Sequence, residues 1–182
     1  MNWLNSIFIL SVAFLAVFAE AAFGGLRRVL GAQVDLLPPL VVYAALTSDL
    51  ATIGLLAFLG GLWFDSLSAN PLGVSVLPLF VIGLAIHLKR ELILREQPFA
   101  HLVLGLAASA TAPALTLLVL LTTGHTPMLG WGTIWQWLVM TIGGGLATPV
   151  CFWLFRWLRR TFVHGADVQS SFRPDREIRR GR

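Results

Sequence analysis

Residues 99–155 contain no Asp, Glu, Lys or Arg. No soluble fold hides so long a run, because a water-exposed helix needs a polar face. The run reads as two membrane spans, about 99–121 and 132–155. Each reaches the roughly 20 residues that cross a hydrocarbon core. An uncharged loop with Gly124, Pro127 and Gly130 joins them, and Pro113, Pro149 and a Gly143-Gly144-Gly145 run lie inside the spans. The rest of the chain agrees. Of 182 residues, 57% are hydrophobic and 12% charged, against about 25% charged in soluble domains. Mean hydropathy is +0.79. The expected fold is all-α, a polytopic transmembrane helix bundle of about six spans, with five as the alternative.

The difference between six and five lies in residues 36–64. As one helix, that stretch would reach roughly 43 Å, more than the membrane core needs. As two, it breaks at Ser48-Asp49, where either residue can cap the helix that follows. The first span, about 3–23, ends in Ala19-Glu20-Ala21 and has no preceding Lys or Arg. It therefore reads as an uncleaved span and not as a signal peptide. Another span covers about 72–88, with Pro78 as a kink. Residues 1–157 are expected to form the transmembrane domain, and 158–182 a basic, disordered cytoplasmic tail.

Charge is unevenly placed. Residues 1–88 hold two arginines and four acids, whereas 89–182 hold eleven Lys/Arg and five acids. The positive-inside rule puts the 89–98 connection and the C-terminal tail in the cytoplasm under both topologies. The basic residues flank spans and form no nucleic-acid-binding motif, so no nucleic acid is expected. The eight arginines of residues 156–182 could meet anionic lipid, or could simply be solvated and fix orientation. Trp131, Trp135 and Trp137 begin the last span, and Trp153 and Trp157 end it. They read as aromatic belts at the two interfaces.

Catalytic patterns are absent. The four histidines are scattered, the single Cys151 makes neither a disulfide nor a metal site, and no nucleophile elbow or phosphate loop occurs. No enzyme activity, cofactor or metal is expected. His87 and His101 read as interfacial. Glu20 is a possible intramembrane acid: either functional, or a group snorkelling outward beside Arg27 and Arg28. Few polar residues occupy the spans: Thr111, Thr116, Gln136, Thr141 and Thr148.

One stretch has more character. Asp35-Leu-Leu-Pro38-Pro39-Leu-Val-Val-Tyr-Ala-Ala-Leu opens the second helix. Gly54, Phe58-Leu59-Gly60-Gly61-Leu62, Asp65 and Asn70-Pro71-Leu72-Gly73 follow. Together these resemble the MreD family of rod shape-determining membrane proteins, with its G-x-x-x-G-x-x-x-D and P-L-G pattern. Here Leu36 and Leu37 separate Asp35 from Pro38. The resemblance implies a non-enzymatic scaffold of the bacterial inner membrane. Such a protein associates with MreC, and through it with MreB, RodA and the transpeptidase partner of RodA. It also implies an architecture similar to the substrate-binding subunits of ECF vitamin transporters, which supplies the alternative function.

On this reading Asp65 ends the third helix and organises a rigid turn through residues 65–73 at the outer face. Its carboxylate is expected to accept from Ser66, Ser68, Asn70 or nearby backbone N–H groups. Gly60 and Gly61 would let another helix approach.

Overall fold

The computed structural model describes residues 3–22, 31–68, 70–91, 97–124 and 130–163. Among them are six helices: α1 (Trp3–Ala22), α2 (Leu37–Thr47), α3 (Leu50–Leu67), α4 (Val76–Lys89), α5 (Pro98–Thr122) and α6 (Trp131–Val163). One π turn, Leu56–Gly60, interrupts α3. No strand occurs among the described residues. The chain is all-α, as expected.

The span count is corrected. Four helices, α1, α3, α5 and α6, are long and apolar enough to cross a membrane, whereas α2 and α4 are shorter apolar helices. The single-helix version of residues 36–64 is also overturned. Ser48 and Asp49 are extended and break it. Neither side chain caps α3. Ser48 Oγ instead accepts from Asn5 Nδ2 at 3.2 Å.

α2 explains the architecture. It has 11 residues, so it rises roughly 16 Å, about half a hydrocarbon core. Ten of those residues are buried, and the helix packs against α1, α4, α5 and α6. A helix apolar all round must be enclosed, and here its neighbours enclose it. α5 and α6 form the longest pairing. It is close because small residues face each other: a Cβ on Gly144 would overlap Ser109, and one on Gly105 would overlap Thr148. Gly105 and Ser109, four apart on α5, thus form a close-packing stripe.

The bundle has two distinct ends. At one end Asn5 of α1 and Arg90 beyond α4 both reach Ser48, at 3.2 and 3.5 Å. An aromatic cluster lies beneath. Tyr43 stacks on Phe155 at 4.0 Å, Phe8 meets the same ring edge-on, and His101 stacks on Phe152 at 3.7 Å. His101 is therefore a buried packing residue and not an interfacial one. At the other end lie the end of α1, the starts of α2 and α4, and the start of α6. Trp131, Trp135 and Trp137 are exposed near that end, and Trp153 and Trp157 are exposed toward the Arg90 end. Trp135 and Trp153 are separated by roughly 27 Å of helical rise, close to the thickness of the hydrocarbon core. Trp137 Nε1 donates to Ala110 O of α5 at 2.8 Å. α6 continues to Val163, past residue 157, and residues 164–182 lie outside the described residues.

Candidate functional site

Two short helices begin inside the bundle, and each leaves backbone N–H groups to be satisfied. In water a solvent molecule would serve. Among apolar neighbours an unpaired N–H costs several kcal/mol, so the sequence must supply acceptors. It supplies carboxylates.

At the start of α2 the requirement is small, because Pro38 and Pro39 have no N–H and sit in the first turn. Leu40 N donates to Leu36 O at 3.2 Å. Two donors remain. Leu36 N donates to Glu20 Oε1 at 2.6 Å, and Leu37 N donates to Asp35 Oδ1 at 2.8 Å. Glu20 therefore turns inward from the last turns of α1, and the outward, snorkelling alternative is corrected. Arg27 and Arg28 lie outside the described residues. Both carboxyl groups also sit at the positive end of the helix dipole, which favours an anion there. At the far end of α2, His87 Nδ1 lies 3.2 Å from Ala45 O, and Arg90 donates to Ser48 O. That is the complementary arrangement for exposed helix carbonyls.

At the start of α4, one acid does all the work. Asp65 is 1% exposed. Its Oδ2 accepts from Gly73 N at 2.9 Å and Ser75 N at 3.0 Å, while Ser75 Oγ donates to Oδ1 at 2.5 Å. Of the expected donors, nearby backbone N–H groups are the ones found, and Ser66, Ser68 and Asn70 are corrected. Ser66 Oγ donates to Trp63 O, Ser68 Oγ to Asp65 O, and Asn70 N to Ser68 Oγ. Asp65 reaches past them because the N-terminus of α4 offers converging N–H groups, and this offsets its poor position at a helix C-terminus. Gly73 has φ +90°, a left-handed conformation suited to glycine. The turn tightens around it, with Val74 N donating to Pro71 O and Val76 N to Gly73 O, both at 3.3 Å.

Gly60 and Gly61 serve the two caps separately. A Cβ on Gly60 would lie 3.1 Å from Leu37 Cδ2, and one on Gly61 would lie 3.0 Å from the backbone of Val76. Each glycine thus admits the first residue of a different short helix. The motif residues Asp35, Pro38, Pro39, Gly60, Gly61, Asp65, Asn70, Pro71 and Gly73 are gathered at one end of the bundle. The tryptophans are not part of this cluster.

Between the caps and the facing halves of α5 and α6 lies a cavity of about 310 Å³. Its lining includes Gln33, Asp35, Ser68, Asn70, Ser75, Thr116, Thr133 and Gln136 among apolar residues. Of the span polar residues read from sequence, Thr116 and Gln136 face it. Thr111 and Thr141 bond to carbonyls of their own helices, and Thr148 packs between α5 and α6. Apart from Thr133 in the first turn of α6, the remaining polar lining comes from connections, which a search of the spans alone misses. Ser75 also escapes sequence reading, although a serine directly before an apolar run is an N-cap signal.

Comparison with family models, with curated proteins and with solved structures finds no match to this chain.

Proposed function

We propose that this chain is a non-enzymatic scaffold of the bacterial cell-wall elongation complex, a multi-pass protein of the inner membrane. In this role it associates with MreC, and through it with MreB, RodA and the transpeptidase partner of RodA. The observation that carries the proposal is the convergence of the motif residues. Those that resemble the MreD family, from Asp35 through Gly73, meet in two internal helix caps at one end of the bundle. A scaffold needs a stiff, defined surface more than a reactive group. Asp65 and its three donors stiffen the turn, and Leu67 and Leu72 (70% exposed) project around it.

The Arg90 end and the C-terminal region face the cytoplasm in this reading, following the distribution of Lys and Arg. The capped end then faces outward, where the partner docks. Tail arginines would meet anionic lipid on the inner leaflet.

A tagged copy purified in mild detergent from its native membrane tests this. Recovery of MreC with peptidoglycan synthases is expected, and Leu72→Asp should weaken it while the chain stays folded. Recovery of a transmembrane coupling subunit with ATPases would replace the scaffold by the second reading, the substrate-binding subunit of an ECF-type transporter. One observation favours that second reading: the polar-lined cavity beneath the caps.

A further inference from the structure

The cavity carries an inference that does not depend on which cellular role is correct. Asp35 is 7% exposed, yet it lines the cavity. One of its oxygens accepts from Leu37 N. The other takes no hydrogen bond from a described residue. A buried carboxylate oxygen facing an open space is costly unless something there completes it. Across the cavity stand Thr116, whose hydroxyl bonds no described residue, and Gln136, whose amide makes only a long 3.7 Å contact to Met140 Sδ. Phe64, Leu79 and Leu117 give the remaining wall an apolar character.

The chemistry of the occupant follows. Among the described lining residues there is no Lys or Arg, and Asp35 is the acid, so the cavity favours a cation. A divalent metal ion needs several oxygen or nitrogen ligands, and no group of three His, Cys, Asp or Glu could hold one among the described residues. The apolar wall and the volume suit an organic cation better. A water occupies about 30 Å³ in the liquid, so 310 Å³ admits a group of roughly ten to fifteen non-hydrogen atoms. We infer that this cavity binds an ammonium-bearing molecule, with the ammonium on Asp35, hydroxyl or amide groups on Thr116 and Gln136, and an apolar body between. The ammonium could belong to a free amine or to the headgroup of an aminophospholipid.

The test uses the full chain in lipid nanodiscs, with tyramine as probe and 3-(4-hydroxyphenyl)propionate as its anionic counterpart. In phosphatidylglycerol discs tyramine should bind at least about tenfold more tightly than the propionate, and Asp35→Asn should weaken tyramine about tenfold or more. Thr116→Trp, which fills the cavity and leaves Asp35 in place, should abolish binding in a chain that elutes and melts like the parent. Discs containing phosphatidylethanolamine separate the two sources. A several-fold loss of tyramine affinity there identifies the headgroup, and unchanged affinity identifies a free amine. The inference is overturned if tyramine binds in neither disc, if the propionate binds equally well, or if folded Thr116→Trp binds as the parent does. Partner capture by the scaffold is a separate readout and would survive that failure.

Discussion

The starts of α2 and α4 are built alike and finished differently. In both, a long helix carries an acid two residues before its end: Glu20 on α1 (Trp3–Ala22) and Asp65 on α3 (Leu50–Leu67). In both, that acid reaches forward to N–H groups at the start of a shorter helix. At α4 the acid is saturated, with one carboxylate, three donors and both oxygens engaged. At α2 two carboxylates share two donors, and each keeps an oxygen in reserve. That of Glu20 is buried with no partner among the described residues, and that of Asp35 lies at the cavity. A saturated acid is a structural part. An acid with spare acceptor capacity beside a cavity is available for a ligand.

The sharpest way to break this comparison is to remove the saturated acid. Asp65→Ala strands Gly73 N, Ser75 N and the Ser75 hydroxyl. Each stranded donor costs about 1–3 kcal/mol, so about 3–9 kcal/mol in total is expected. That is a large share of the stability of a typical domain, about 5–15 kcal/mol. Thermal unfolding in detergent should show a steep drop, with a lower yield of monodisperse protein. A variant melting with the parent would mean that α4 does not depend on its cap.

The neighbouring glycines sharpen the same contrast at smaller scale. Gly61 faces the Val76 backbone, which cannot step aside without moving α4. Gly61→Ala should therefore cost about 1–3 kcal/mol by overpacking. Gly60 faces the tip of the Leu37 side chain, which can rotate. Gly60→Ala should cost clearly less, although the residues are adjacent. Equal losses in paired melts would show that the two caps respond as one unit. Next in size, Gly73→Ala forces an alanine to φ +90°, a strain of about 1–2 kcal/mol, again read in the melting curve.

How much of this was legible beforehand depends on distance along the chain. The apolar runs, the break at Ser48-Asp49 and the role of Pro38 and Pro39 follow from local sequence. So does the importance of Asp65 and of Gly60-Gly61, because the turn lies within ten residues. What escaped was long-range. Glu20 is sixteen residues from Leu36, and nothing nearby says whether its side chain turns in or out. The span count failed for a related reason. Residues 37–47 and 76–89 are apolar enough to look like spans, yet they run for only 11 and 14 residues between interior starts and their C-caps at Ser48 and Arg90. The cavity was missed because Gln33, Ser68 and Asn70 belong to connections, and hydropathy treats a connection as the end of the membrane region.

The smallest expected effect bears most directly on the spare oxygen at α2. Glu20→Gln keeps an acceptor for Leu36 N, since an amide oxygen can replace Oε1. It exchanges a buried oxygen that no described residue pairs for an N–H₂ group in the same place. If Glu20 serves only as a cap, the two orphaned groups are of similar consequence, and stability should stay within about 1 kcal/mol of the parent. Glu20→Ala, which removes the acceptor itself, should cost about 1–3 kcal/mol more by stranding Leu36 N. If Glu20→Gln is instead as damaging as the alanine variant, the charge is what the start of α2 requires. The dipole of that short, enclosed helix would then matter more than hydrogen-bond accounting allows, and α2 and α4 would be alike in needing an anion, not merely an acceptor.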